Sequence, residues 1–428
     1  MSMAFKRASA RAIRFVPTIV LAMLLPLVAL AQTARPEAVG LSTERLQRVN
    51  EMVDRYIASG DITGAVTLVA RNGRIVHLQA QGVTDAASKK PMQKDTIFRI
   101  ASMSKPVAGT AILMLVEEGK VRLTDPVSKF IPSFKDIKVA VPKPPAPPPL
   151  GGPAPPAPAT PENYTVPAAR DVTILDLLTH TSGLLSGPIG NAAGASLSAN
   201  RRVQGLKYTE ALGTTPLEFQ PGTRWAYSAV AGFDVLSHIV EIASGRTFNE
   251  FVNERIFKPV GAKEIFFWPN AGQRERLVTS YVKGANGLTR REDADSMSSE
   301  VYFSGAGGLM ATAESYGRFA MMLANQGEAN GVHLLAPRTV ELMGSAFIPD
   351  TLPGRQPGEG YGLSVRSVTD PVARRTPVSK GTFGWSGAYG THFFVDPDKH
   401  LVGVLMIQTP VVAMREDFEN AVMQAVID

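Results

Sequence analysis

The sequence predicts an α/β fold in which both ends of the chain build one lobe and a helical lobe is inserted between them. Three observations predict it. Two strand-like runs, at 65–69 and 75–78, flank Asn72-Gly73, a pair that tolerates positive φ and closes a hairpin. Further strand-like stretches lie near the other end, at 361–365, 391–395 and 401–407, with Asp396-Pro397-Asp398-Lys399 as a turn between the last two. Between these ends the apolar residues recur at helical spacing. The expected α/β lobe covers about 32–110 and 310–428, and the helical lobe about 111–309.

The elements follow in order. Ser42 is placed to cap a helix carrying Leu46, Val49, Met52, Val53, Tyr56 and Ile57, which Gly60 ends. A strongly apolar helix runs from Val107 to Glu118. Thr173 caps a short helix reaching Leu178, and His180-Thr181-Ser182-Gly183 follows. A long apolar helix follows Tyr227, through Phe233, Leu236, Ile239 and Ile242 to Gly245. Thr312 caps another, through Phe319, Met322 and Leu323, and a last one covers about 415–426. From Pro142 to Pro161, 11 of 20 residues are proline. Proline lacks the backbone donor and fixes φ, so this segment reads as an exposed, extended insertion, polyproline II in part.

Composition bounds the function. The chain has 428 residues, 44% hydrophobic and 19% charged, as a globular protein has. Residues 1–31 hold Lys6, Arg7, Arg11 and Arg14 and no acid, so without them the formal charge of +6 falls to +2. The basic balance is therefore a targeting feature, and no nucleic-acid partner is expected. Apolar residues 15–30, broken by Pro17 and Pro26, fall short of the roughly 20 that a spanning helix needs, and Ala29-Leu30-Ala31 offers a cleavage site. Residues 1–31 thus read as a secretory signal peptide, and 32–428 as a periplasmic or secreted chain with no stable membrane association. Cysteine is absent, which excludes disulfides, thiolate metal sites and a cysteine nucleophile. The histidines show no metal-ligand spacing, and no metal or organic cofactor is expected.

The chemistry-bearing candidate is Ser102-Met103-Ser104-Lys105, an S-x-x-K. Lysine three residues on shares the helical face of the serine, where its amine can take the serine proton if burial or a nearby positive charge lowers its pKa. With 27 serines and 16 lysines, about one such spacing is expected by chance, so context must carry it. Here the motif follows a hairpin and opens an apolar helix, where a lone lysine is costly unless it has a role. Tyr227, in Trp225-Ala226-Tyr227-Ser228-Ala229, is a second candidate: beside a lysine a tyrosinate becomes cheaper and serves as base and acid. The third segment, Gly384-Trp385-Ser386-Gly387-Ala388-Tyr389-Gly390, has glycines that allow a strand backbone to approach a ligand. His180 reads as structural, His392 lies in an expected strand two residues past Gly390, and neither is expected to form a Ser-His triad.

In this order and spacing, FRIASMSKP (98–106), LLTHTSGL (177–184), Tyr227-Ser228, GAGGLMAT (305–312) and Trp385-Ser386-Gly387 resemble the serine β-lactamase and penicillin-binding protein superfamily, and within it the family VIII carboxylesterases of the class C group. The resemblance implies an antiparallel sheet flanked by helices. It implies that Ser102 is the nucleophile, Lys105 and Tyr227 the base and proton relay, and the backbone N–H groups of Ser102 and Ala388 the oxyanion hole. Trp385, Ser386 and Gly387 would line the substrate, a small short-acyl ester. The sequence departs from the β-lactamases twice: Ala229 stands where they carry Asn, and Trp385 where they carry the Lys of Lys-Thr-Gly. Losing that lysine penalises carboxylate-bearing substrates by about 1.5–3 kcal/mol. Lys380-Gly381-Thr382 has the right residues in the wrong order. The competing readings are a class C-like β-lactamase or D-Ala-D-Ala peptidase, and a non-catalytic penicillin-recognising protein. Oligomeric state is left open.

Overall fold

The computed structural model describes residues 34–144 and 160–428. The signal-peptide reading of 1–31 and most of the proline-rich insertion fall outside the described residues. Among the described residues no helix is long and apolar enough to cross a membrane.

The central feature is a seven-stranded, wholly antiparallel sheet. Its strands are β1 (Gly64–Arg71), β2 (Arg74–Gly82), β3 (Glu359–Tyr361), β4 (Arg366–Val368), β5 (Phe383–Ser386), β6 (His392–Asp396) and β7 (Leu401–Met406), in the spatial order β3-β4-β5-β6-β7-β1-β2. The two ends of the chain meet where β1 pairs with β7, Val66 opposite Met406 and Arg71 opposite Leu401. The β1–β2 hairpin closes on Asn72 and Gly73, both at positive φ (51° and 71°), so the two-residue turn matches the strand twist.

The sheet is buried on both faces, and residue parity divides the core. Val66, Leu68 and Ala70 of β1 join Val402, Val404 and Met406 of β7 in the larger apolar cluster. Ala65 and Val69, with Leu401 and Leu405, join the smaller one. The smaller cluster is completed by α1 (Thr43–Ala58), whose cap Ser42 accepts from the Arg45 N–H, and by the C-terminal helix (Val412–Met423). The larger cluster holds the central α2 (Lys105–Glu117), apolar on all sides, together with α3 (Ala231–Ser244) and α4 (Ala313–Ala324). Thr173 and Thr312 cap as expected. The C-terminal helix is α5 below.

Two expectations need correction. Of the strand expected at 361–365 only Tyr361 is strand, as the last residue of β3; 362–365 are a hairpin turn between β3 and β4, where Ser364 sits at φ 76° and the Gly362 N–H donates to Val365 O. The last helix begins at Val412, three residues before the expected start at 415. The flanks of the proline-rich insertion also hold structure that the composition hid: Lys138–Pro142 and Asn163–Pro167 pair as a two-stranded ribbon.

Candidate active site

Two of the motifs, 98–106 and 305–312, with Tyr316 of α4, build the turn that presents Ser102. The chain leaves a short strand at Phe98–Arg99, passes through Ala101 at φ 44°, and enters α2 through a 3₁₀ turn, Ala101–Ser104. A non-glycine residue in the left-handed region is uncommon, and here it presents Ser102 at the helix mouth. The 305–312 segment braces the turn: the Ile100 N–H donates to Leu309 O, and the Leu309 N–H donates to Ser104 Oγ at 3.1 Å. From α4 the Tyr316 hydroxyl donates to Met103 O at 2.8 Å.

Lys105 is fully buried. Its Nζ donates to Ser102 Oγ (3.2 Å), Ala229 O (2.7 Å) and Ala306 O (2.8 Å), so the three N–H groups of an ammonium meet three acceptors. The Tyr227 O–H donates to Ser102 Oγ at 2.7 Å. Burial pushes the Tyr227 phenol up, but the Lys105 charge and hydrogen bonding at the hydroxyl outweigh it and leave the group below its ordinary value. In the phenolate form the direction reverses, with Ser102 as donor and Tyr227 placed as its base.

His180 stands behind Tyr227, with ring centroids 4.6 Å apart. Its Nδ1 accepts from the Ser228 N–H at 3.2 Å, and the Ala226 N–H donates to its carbonyl. Burial, with help from Lys105, holds the imidazole well below its usual range, so it is neutral. It holds the Tyr227 segment and makes no hydrogen bond to Ser102.

The third segment closes the site. Gly387 packs against the residues leading to Ser102: a Cβ on it would lie 2.3 Å from Ile100 O and 2.2 Å from Thr391 Oγ1. Only glycine permits this approach, which docks the end of β5 on the turn that carries Ser102. The Gly387 N–H donates to Thr391 O, and the Gly390 N–H to Gly387 O. Neither Ser102 nor Ala388 donates its N–H in a turn or loop bond among the described residues. A cavity of about 260 Å³ is lined by Ser102, Tyr227, Trp385, Ser386, Gly387 and Ala388, with Arg366 and Arg415. All the candidate residues except the buried Lys105, which reaches Ser102 from beneath, therefore face one space. A larger cavity of about 770 Å³, walled by Leu323, Val340 and Phe383, contains none of them; Lys380 and Gly381 line it, which sets Lys380-Gly381-Thr382 apart from the chemistry.

Sequence reasoning missed the charged wall of the small cavity. Arg366 on β4 pairs with Glu359 (3.4 Å) and Glu419 (3.5 Å). Glu419, buried on α5, also pairs with Arg374 (3.1 Å) and His392 (3.1 Å). Arg415 has a buried Nε with no hydrogen-bond partner. Nothing local marks these residues, because they come from separate elements that meet only in the fold. Burial pushes the Glu419 carboxyl up, but His392, Arg366 and Arg374 prevail and bring it from 4.5 down to about 2. A carboxyl depressed in the folded state stabilises above its unfolded pKa and loses that contribution as pH falls through its folded value. Glu419→Gln is therefore expected to cost on the order of 3 kcal/mol at neutral pH. In thermal melts against pH, the gap from wild type should narrow from about 4.5 toward about 2. A gap constant with pH would contradict this account.

Known proteins are similar to this chain in sequence and in fold. A "Beta-lactamase" family model matches residues 49–426. Protein Rv1367c of Mycobacterium tuberculosis (strain ATCC 25618 / H37Rv) is 34% identical over 382 residues, covering 82% of this chain and 86% of that protein. Esterase EstB of Burkholderia gladioli is 29% identical over 423 residues, covering 92% and 99%. Among solved structures, EstCE1, titled a hydrolase with promiscuous acyltransferase activity, matches with a TM-score of 0.74 at 25% identity, covering 90% of this chain and 99% of that one. Simvastatin Synthase (LovD) from Aspergillus terreus matches in fold, with a TM-score of 0.73 at 19% identity over 89% and 98%. These matches agree with the resemblance to family VIII esterases drawn from the motifs. Its antiparallel sheet and a family match over most of its length place the chain in the β-lactamase family.

Proposed function

We propose that the protein hydrolyses small, short-acyl carboxylic esters through an acyl-enzyme on Ser102. It is a serine carboxylesterase, and the observation that carries the reading is Ser102 Oγ held between Lys105 Nζ at 3.2 Å and Tyr227 OH at 2.7 Å. The Tyr227 phenolate takes the Ser102 proton as Oγ attacks the ester carbonyl. The N–H groups of Ser102 and Ala388 receive the developing oxyanion. As the tetrahedral intermediate collapses, the C–O bond to the alcohol breaks and Tyr227 returns the proton to the leaving oxygen. Water then repeats the sequence on the acyl-enzyme and releases the acid. Throughout, Lys105 supplies positive charge beside both oxygens. The indole of Trp385 gives the cavity an apolar wall suited to an alkyl or aryl group. A relative named as an esterase, EstB, and a structural neighbour titled a hydrolase, EstCE1, support the substrate class. The basic, apolar leader of residues 1–31 supports action in the periplasm or outside the cell.

Weak β-lactam hydrolysis is a second reading, favoured by Arg366 and Arg415 on the cavity wall, whose charge partly replaces that of the missing strand lysine. The testing experiment compares a p-nitrophenyl ester series of increasing acyl length with a chromogenic cephalosporin. Fast cleavage of short esters with slow lactam turnover supports the esterase. Lactam turnover as fast or faster would hand the site to the β-lactamase reading. Trp385→Lys is expected to lower KM for the cephalosporin by roughly 10–150-fold, the value of a charged hydrogen bond to its carboxylate. An unchanged KM would count against this account of the pocket.

A further inference from the structure

Behind the substrate-binding strand lies a hydrogen-bonded chain that the mechanism above leaves unused. Ser386, half-buried on β5, lines the catalytic cavity. Its Oγ lies 2.9 Å from Nδ1 of His392, the residue opposite it on β6. His392 is completely buried, with its ring stacked on Phe394, and its Nε2 lies 3.1 Å from Oε1 of Glu419 on α5. The order is serine, imidazole, carboxylate.

The charges fix where the protons sit. Arg366 and Arg374 both pair with Glu419, and Arg415 lies on the same helix facing the same cavity. Glu419 is therefore ionised and can only accept, so Nε2 must carry a hydrogen and donate to it. A second proton on His392 would add another cation beside Arg366, Arg374 and Arg415, three cations that already outnumber the two carboxylates among them, Glu359 and Glu419. Burial works in the same direction and holds His392 below its ordinary value, although Glu419 opposes it. A neutral ring with its hydrogen on Nε2 has a bare Nδ1, and a bare Nδ1 accepts from the Ser386 O–H. The serine hydrogen is thereby committed inward, and what Ser386 offers the cavity is a lone pair.

We propose that the Ser386–His392–Glu419 chain fixes Ser386 as a hydrogen-bond acceptor toward substrate, so that the site selects esters carrying a donor, a hydroxyl or amide N–H, beside the scissile bond. This deepens the esterase reading and rests on it for its substrates. Ser386 is a specificity-determining residue, and His392 and Glu419 are positioning residues that act through it. A carboxylate, which has only acceptors, is the wrong partner for Ser386, whatever the arginines contribute nearby.

Two readouts test the proposal. The first uses the purified protein with ¹⁵N-labelled histidine, His392→Gln identifying its signal among the six histidines. Two-bond ¹⁵N–¹H correlation at neutral pH should show His392 neutral, with hydrogen on Nε2 and Nδ1 bare. A hydrogen on Nδ1, in either the neutral or the charged ring, overturns the proposal. The second readout is the ratio of kcat/KM for 2-hydroxyethyl butyrate to that for ethyl butyrate. The wild type should favour the hydroxyl ester. Ser386→Ala should reduce the ratio roughly 3–10-fold, the value of one neutral hydrogen bond, and Ser386→Thr should restore it. A ratio unchanged in Ser386→Ala, or lost equally in Ser386→Thr, overturns the proposal. If neither ester is hydrolysed the esterase reading fails, and the tautomer alone decides the role of Ser386.

Discussion

Ser102→Ala is expected to lower kcat/KM for a short p-nitrophenyl ester by about 10⁴-fold or more, because it removes the atom that forms the acyl bond. The fold should survive. The Ser102 hydroxyl is hydrogen-bonded to Lys105 Nζ and Tyr227 OH, and Lys105 keeps Ala229 O and Ala306 O as acceptors when Oγ is gone. An unchanged melting temperature beside lost turnover separates catalysis from stability. A binding protein without catalysis would instead keep its ligand and show no turnover in either form. Full hydrolysis by Ser102→Ala would falsify the nucleophile assignment.

Lys105→Ala should have the second largest effect, a fall in kcat of about 10²–10⁴-fold. The effect runs through Tyr227. Its phenol is pushed up by burial and brought down chiefly by the neighbouring ammonium. Without Lys105, burial acts with less opposition and the pKa of Tyr227 rises. Less phenolate is then present at neutral pH, so the remaining activity should climb toward alkaline pH and its acid limb should lie above that of the wild type. The variant also leaves two backbone carbonyls without a buried donor, at a cost of about 1–3 kcal/mol for each, so melting temperature must be read beside the rates. A kcat near the wild-type value with an unmoved pH profile would contradict the proposed roles of both residues.

Much of this was legible in the sequence, and the exceptions have physical reasons. Local signals held: the Asn72-Gly73 turn, the caps at Ser42, Thr173 and Thr312, and the apolar run of α2 all act over a few residues, which is the reach of propensity and patterning. The S-x-x-K was legible only in context. Ser280 and Lys283 have the same spacing, but Lys283 lies on the strand Tyr281–Gly284 and pairs with Asp61, so serine and lysine do not share a helical face. The acceptors that hold Lys105 are backbone carbonyls of Ala229 and Ala306, and a carbonyl leaves no trace in residue identity. The turn at 362–365 reads as a strand because its apolar residues alternate, while tertiary contact decides otherwise: the Ser364 N–H donates to Leu178 O, and Ser364 packs against Gly109 of α2. The charged wall was the least legible. Arg366, His392 and Glu419 meet through strand pairing and helix packing, and His392 looked like an isolated strand histidine until β5 and α5 were in place.

The central claim is a covalent acyl-enzyme on Ser102, and one measurement addresses it directly. The protein is mixed with a p-nitrophenyl ester, quenched in acid during turnover, and examined intact and after digestion by mass spectrometry. The account predicts the mass of one acyl group, carried by the peptide that contains Ser102 and absent from Ser102→Ala. An acyl group on another residue, Ser386 included, would contradict it, and so would sustained hydrolysis with no adduct at any quench time.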